Sequence, residues 1–120
     1  TMLRVGKERG EVNVVCDQIG SPTYTTDLAS LLCDMAVTER YGIYHATNEG
    51  FCSWAEFAAE VFKQAGYATK VNFIHSSQFP SKAKRPMNSR MSKKSLDAAG
   101  FDRLPDWRDA LARYLDELEK

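Results

Sequence analysis

The chain of 120 residues lacks the motifs of the common nucleotide cradles and of several kinds of catalytic centre. It contains no Gly-x-Gly-x-x-Gly and no phosphate-binding loop, which excludes the usual dinucleotide and nucleotide triphosphate cradles. None of its five tyrosines is followed four residues later by a lysine, so an acid–base Tyr-x-x-x-Lys pair is absent. His45 and His75 are not accompanied by clustered carboxylates, so no metal site is predicted. From these absences, no catalytic residue is predicted in the chain.

Cysteines are few and apolar runs are short. Cys16, Cys33 and Cys52 form no Cys-x-x-Cys pair, which favours free thiols in a reducing cytoplasm over disulfides or a zinc site. No apolar run is long enough to cross a membrane, and the N-terminus does not have the pattern of a signal peptide. We therefore expect a cytoplasmic protein without membrane contact. Met2, Leu3 and Val5 are typical of the end of an amphipathic helix, which indicates a fragment of a longer protein.

Acidic residues are absent from residues 61–96, although the whole chain has 16 acidic and 16 basic residues and no net charge. The basic residues in that stretch are Lys63, Lys70, Lys82, Lys84, Arg85, Arg90, Lys93 and Lys94. A local excess of positive charge attracts anions. It is equally typical of a solvated basic face, so charge alone leaves both interpretations open.

Patterns of strands and helices alternate along the chain, which favours an α/β fold. Short runs rich in β-branched residues predict strands at residues 11–16, 43–47 and 71–74. Helical spacing of apolar residues predicts a helix capped by Thr25 or Thr26, another begun by Ser53, a short one over 93–99 capped by Ser92, and a last one after Pro105. Residues 75–90 are predicted to form an irregular loop.

The helix that begins at Ser53 has the strongest local pattern. Ser53 and Glu56 have the spacing of a capping box, and Gly66 is suited to a left-handed C-terminal cap. The expected architecture is therefore a small mixed α/β domain, residues 1–120, with short strands and about four helices.

Two loops carry the candidate binding residues. The first, residues 17–24, contains Gln18, Gly20, Ser21 and Pro22, where an amide and a flexible glycine suit recognition of a sugar or base. The second, residues 84–89, contains Arg85, which can bind a phosphate through two hydrogen bonds, and Asn88, which adds a polar contact. A turn and a basic surface loop would have the same composition, so binding is a hypothesis at this point.

These stretches resemble the dTDP-4-dehydrorhamnose reductases, a branch of the extended short-chain dehydrogenase/reductase superfamily. The similar segments are DQIGSPTYTTDLA (17–29), GIYHATNEGFCSWAEFA (42–58), KRPMNSRMSKKSLDAAGF (84–101) and DWRDALARYL (106–115). They follow one another in the family's order and extend over nearly the entire chain. The resemblance implies the C-terminal, substrate-binding part of such a reductase, without its Rossmann half.

The resemblance also implies a function and site residues. Members reduce dTDP-4-dehydro-L-rhamnose to dTDP-L-rhamnose with NADPH, for cell-surface polysaccharides, and the absent half would hold NADPH and the catalytic Tyr-x-x-x-Lys. We therefore expect a dTDP-sugar as ligand, no cofactor bound by this chain and no activity of the chain alone. Gln18, Gly20, Ser21 and Pro22 would lie near the junction of nicotinamide and sugar. Arg85 and Asn88 would face the diphosphate, and Trp54 would shelter a ring or serve packing.

The absent half has a further consequence. In the family, the segment that matches residues 43–47 joins the sheet of the Rossmann domain, so here it would be an unpaired edge. We therefore expect low stability, dimerisation or strand swapping through this edge.

Other functions remain open. Related chains are other nucleotide-sugar reductases or epimerases, or non-catalytic subunits such as the regulatory subunit of methionine adenosyltransferase. The basic stretch 61–96 suits a nucleic-acid-binding module, but it has few aromatic residues for base stacking and the net charge is zero, so nucleic acid is not expected as a partner. A purely structural interaction domain is a further alternative.

Overall fold

Helices and short strands alternate along residues 1–119, which are the residues that the computed structural model describes. The helices are α1 (Met2–Glu8), α2 (Thr25–Ala36), α3 (Trp54–Ala65), α4 (Lys94–Ala99) and α5 (Trp107–Leu118). The strands are β1 (Glu11–Val15), β2 (Ile19–Gly20), β3 (Cys52–Ser53) and β4 (Lys70–Ile74), and a single 3-10 turn covers Ser76–Gln78. This arrangement confirms the predicted mixed α/β fold.

The strands form two small sheets. β1 and β4 are parallel and in register from the pair Glu11 and Lys70 to the pair Val15 and Ile74. The predicted strands at 11–16 and 71–74 are therefore confirmed to within one residue at either end. β2 and β3 form an antiparallel pair of two residues each, and the sequence did not predict them because two residues are too few for a periodic pattern.

Helix α3 lies at the centre of the larger hydrophobic cluster. The capping box is confirmed, since Ser53 Oγ accepts from Glu56 N and Glu56 Oε1 accepts from Ser53 N, both at 3.1 Å. Gly66 ends the helix with φ of 77°, which glycine adopts without strain. The helix packs on β1, β4, α1 and α5. Its buried residues are Ala55, Ala58, Val61 and Phe62.

Gly6 allows α1 to approach α3 closely. A glycine inside a helix disfavours it by about 1 kcal/mol relative to alanine. Here, however, a Cβ at residue 6 would overlap the ring of Phe62, which is 2% exposed. The small residue therefore sets the distance between the two helices.

The strand predicted at residues 43–47 is not formed. Within residues 1–119, the backbone from Gly42 to Thr47 makes no backbone–backbone hydrogen bond. Its side chains nevertheless alternate between exposed and half-buried from Ile43 to Ala46, as they would in a strand. Tyr44 and Ala46 pack on a second hydrophobic cluster, whereas Ile43 is 89% exposed. Strand propensity is present, but a ladder requires a neighbouring strand, and the described part of the chain does not supply one.

Two predicted helix caps also differ from the structure. Helix α2 begins after Tyr24, and neither Thr25 nor Thr26 caps it. Helix α4 begins after Lys93, one residue beyond the predicted cap, and the hydroxyl of Ser92 accepts from Lys94 N at 3.3 Å.

Instead of a local cap, the side chain of Asn48 serves the start of α2. Asn48 Oδ1 accepts from Tyr24 N at 2.7 Å. Its Nδ2 donates to Asp27 Oδ2 at 2.8 Å and to the carbonyl oxygen of Pro105 at 2.9 Å. Asn48 is fully buried, so its own amide is shielded from water. One amide thus joins the start of α2 to the segment that leads into α5.

Arg113 completes this network from α5. Its guanidinium binds Asp27 through two hydrogen bonds of 2.7 and 2.8 Å. These bonds hold the pKa of the Asp27 carboxyl below its usual range, burial opposes that effect, and the bond from Asn48 adds to it. Helices α2 and α5 are therefore joined by a partly buried ion pair.

We predict that this network makes stability fall in acid. The pKa of Asp27 is lower in the folded than in the unfolded chain. Its contribution to the free energy of unfolding is therefore fully present at a pH above the unfolded-state pKa, and it is lost as the pH falls through the folded-state pKa. Urea unfolding between about pH 5 and pH 3 measures the loss. Asp27→Asn should be less stable than the parent chain at neutral pH and should lose less stability on acidification. Some acid dependence of its stability should remain, because the pKa values of Asp17 and Asp97 are also lowered. Equal acid slopes for both proteins would contradict this role of Asp27.

Candidate functional site

The two loops that carry the predicted binding residues lie side by side. Ile19 N donates to the carbonyl oxygen of Met87 at 2.9 Å, and Ser89 N donates to the carbonyl oxygen of Ile19 at 2.7 Å. These two bonds pair Ile19 with Asn88 in a parallel bridge. Residues far apart in the sequence are thus brought to one surface, and hydropathy patterns gave no indication of this bridge.

Two grooves are lined in part by the paired loops. The small groove, of about 470 Å³, contains most of the predicted residues in its lining: Gln18, Gly20, Ser21, Pro22, Trp54 and Arg85. The large groove, of about 1090 Å³, is mostly apolar and extends along β1, α3 and α5. The residues shared by both linings are Gln18, Trp54, Phe57, Arg85 and Pro86. The grooves therefore meet where an amide, an indole and a guanidinium stand together.

The charge in both grooves is of one sign. No aspartate or glutamate is among the lining residues of either groove, whereas Lys84 lines the large groove and Arg85 lines both. Within residues 1–119, Arg85 makes neither a hydrogen bond nor an ion pair with another side chain, and its side chain is exposed. A guanidinium without a carboxylate partner, beside an apolar surface, favours binding of an anion.

Trp54 stands at the junction of the grooves as the first residue of α3. It is 55% exposed, and its ring contacts Phe57 edge-on with centroids 6.4 Å apart. Phe57 in turn contacts the buried Trp107, with centroids 5.9 Å apart. One side of the indole is thus supported by aromatic packing while the rest of the ring is open to a planar ligand.

Two other predicted residues, Ser21 and Asn88, have structural partners. Ser21 Oγ donates to the carbonyl oxygen of Gly50 at 2.7 Å, which holds the first loop against the turn before β3. Asn88 Oδ1 accepts from Arg90 N at 3.1 Å and from Arg90 Nε at 2.9 Å, and Asn88 is not among the lining residues of either groove. Gly20 lies in β2 without a positive φ, so the conformational freedom expected of it is not used there.

Several lining residues were not predicted. Phe57, Leu111 and Tyr114 line the grooves from helices α3 and α5, but in the sequence they belong to ordinary apolar helix faces. Ser76 and Ser77 reach the large groove from the loop after β4. Of these residues, only Ser76 and Ser77 lie in the basic stretch, residues 61–96, that the sequence analysis identified. The helical residues had no distinguishing pattern because burial and groove lining use the same side chains.

Neither metal-binding nor membrane-spanning features accompany the site. Over residues 1–119, no group of three or more potential ligand side chains could hold a metal ion. In the same residues no helix has the length and apolar character that crossing a membrane requires.

Comparison with known proteins gives this geometry a context. The family described as the RmlD substrate binding domain matches residues 1–120. The spore coat polysaccharide biosynthesis protein SpsK of Bacillus subtilis is 40% identical over 117 residues, which are 98% of this chain and 41% of that protein. The dTDP-4-dehydrorhamnose reductase of Aggregatibacter actinomycetemcomitans is 41% identical, over 92% of this chain and 42% of the enzyme.

Solved structures agree in fold. A dTDP-4-dehydrorhamnose reductase of Bacillus anthracis, crystallised in complex with NADP, superposes with a TM-score of 0.91 at 41% identity, over 97% of this chain and 41% of that one. An orthologous reductase of Clostridium acetobutylicum superposes with a TM-score of 0.96 at 37% identity, over 99% and 42%.

The chain thus spans about 41% of the length of the relatives and structures that it matches. The resemblance inferred from the sequence is confirmed along the full chain, and the fold agrees with it. This chain belongs to the family of RmlD substrate-binding domains.

Proposed function

We propose that residues 1–120 form one unit that binds a dTDP-sugar, as the substrate-binding part of a dTDP-4-dehydrorhamnose reductase. The observation that carries the proposal is the meeting of two carboxylate-free grooves at Arg85, Gln18 and Trp54. The names of the relatives support the choice of ligand, since most of those compared are dTDP-4-dehydrorhamnose reductases.

Each part of the ligand has a chemically suitable partner in this site. The free guanidinium of Arg85 suits the diphosphate, and Lys84 adds a second positive charge beside it. The half-open indole of Trp54 suits stacking with the thymine or the sugar ring. Gln18, which lines both grooves, can donate to and accept from sugar hydroxyl and carbonyl groups. Gly20, Ser21 and Pro22 line the small groove as well, and Asn88 supports the second loop through its bonds with Arg90.

We infer that another part of the full-length enzyme holds most of the NADPH. The positive-φ glycines of residues 1–119 are Gly42, Gly50, Gly66 and Gly100, and none of them opens a helix; Gly66 and Gly100 end α3 and α4. A dinucleotide cradle requires a glycine-rich turn that leads into a helix. We infer that NADPH binding and the reduction of the 4-keto group depend on the Rossmann domain of the full-length enzyme, and that the site operates in the cytoplasm.

We expect Arg85 to dominate binding of the diphosphate. In a titration followed by NMR, dTDP and dTDP-rhamnose should shift the resonances of Gln18, Trp54 and Arg85 in a saturable way. Arg85→Ala should weaken dTDP binding by about tenfold or more, because a charge-assisted hydrogen bond contributes about 1.5–3 kcal/mol.

Lys94→Ala is the matched control, because it removes one positive charge from the same acid-free stretch but does not line either groove. It should leave the dTDP affinity within about twofold of the parent value. Equal losses in both variants, or oligonucleotide binding that shifts residues along the whole basic stretch, would favour a non-specific polyanion surface instead.

A second expectation concerns the unpaired segment at residues 43–47. Three large apolar residues near it are almost fully exposed, namely Val37 at 87%, Tyr41 at 86% and Ile43 at 89%. We propose that this edge pairs with a strand of the Rossmann domain in a full-length protein and with a second copy when the chain is alone.

We predict that the isolated chain self-associates through this edge. Light scattering during size-exclusion chromatography should show dimers that increase with concentration. Ile43→Lys should shift the population to monomers, because a charge on an edge opposes pairing. Val37→Lys, equally exposed but on the residue after α2, should shift it less. A parent chain that stays monomeric at high concentration would contradict the prediction.

A further inference from the structure

The loop that carries Lys84 and Arg85 is held at both ends by two residues of the first loop, Asp17 and Ile19. At its start, Asp17 Oδ1 and Oδ2 each accept from Ser76 N at 3.1 Å, and Oδ2 also accepts from Ser76 Oγ at 2.8 Å. At its end, Ile19 bonds to the backbone of Met87 and Ser89. A loop whose ends lie this close together has the form of an Ω-loop.

Between these anchors the loop has little support of its own. Within residues 1–119, no backbone–backbone hydrogen bond involves residues 80–86. The side-chain bond found there, from Ser81 Oγ to the carbonyl oxygen of Ala83, is internal to the loop. The position of Lys84 and Arg85 is therefore set mainly by the two anchors.

Asp17 is well suited to act as one of these anchors. The hydrogen bond from the Ser76 backbone holds the pKa of the Asp17 carboxyl below its usual range, although burial opposes this effect. Asp17 is therefore an ionised acceptor at neutral pH. His75 Nδ1 lies 3.7 Å from Asp17 Oδ2, on a side chain that is 72% exposed. Asp17 itself is not among the lining residues of either groove, whereas Gln18, the next residue, lines both.

We propose that Asp17 is a positioning residue for the diphosphate: by holding Ser76, it fixes the loop that places Lys84 in the large groove and Arg85 at the junction of the two grooves. The proposal rests on the proposed function, because it presumes that the junction binds a nucleoside diphosphate. A carboxylate outside the site thus prearranges the cations inside it, which lowers the cost of ordering the loop on binding.

The test separates the phosphates from the base. NMR titrations of the parent chain, Asp17→Ala and Asp17→Asn would use dTDP, inorganic pyrophosphate and thymidine. Asp17→Ala should weaken dTDP and pyrophosphate binding about tenfold and leave thymidine binding within about twofold. Asp17→Asn, which keeps one acceptor oxygen for Ser76, should recover part of the loss.

Asp97→Ala is the control variant, since it removes another hydrogen-bonded carboxylate, the partner of Arg103, away from the grooves. It should not change the ratio of dTDP to thymidine affinity. Equal weakening of all three ligands by Asp17→Ala would make Asp17 a general structural residue and overturn the proposal, as would unchanged pyrophosphate binding.

A parent chain that binds neither dTDP nor pyrophosphate would refute the proposed function, and with it the diphosphate role of Asp17. The methyl resonances of Ala83 and Met87 would then test whether Asp17 positions the loop without a ligand. A change in these resonances in Asp17→Ala, but not in Asp97→Ala, would show that it does. Unchanged resonances would refute the anchor as well.

Discussion

One buried amide holds together the parts of the chain on which the site depends. Asn48 bonds to the start of α2, to Asp27 and to the segment before α5, and no water reaches it. Leaving one buried hydrogen-bonding group without a partner costs about 1–3 kcal/mol, a large part of the stability of a small domain. The amide oxygen accepts one of the three bonds and the amide nitrogen donates the other two. Aspartate lacks the donor and leucine lacks both groups, so neither could replace asparagine here.

The position of the site follows from this constraint. With the start of α2 fixed, the first loop runs from β1 past the start of α3, where Ser21 bonds to the Gly50 carbonyl oxygen. Ile19 can then pair both with Ser53 in the small sheet and with the second loop through Asn88. The grooves that meet at Arg85 and Trp54 are thus bounded by loops, but each loop is held by a helix or a strand. Such support keeps a binding geometry rigid.

The sequence predicted what depends on neighbouring residues and missed what depends on distant ones. The capping box of α3 and its Gly66 end were predictable because their partners lie within four residues. The cap of α2 was not, since Asn48 reaches Tyr24 across 24 residues. Residues 43–47 have the composition of a strand, yet a strand also needs a partner. For the site, the two loops and Trp54 were predicted, whereas Phe57 and Tyr114 in the lining from α3 and α5 required the tertiary structure.

If the two loops form one anion-binding junction, a crystal structure of the chain with dTDP should show it. We expect the diphosphate within hydrogen-bonding distance of the Arg85 guanidinium, the thymine or the ribose against Trp54, and the loops still paired at Ile19. A nucleotide bound elsewhere on the basic stretch, with Arg85 still free and the grooves unoccupied, would show that the loops do not form such a junction.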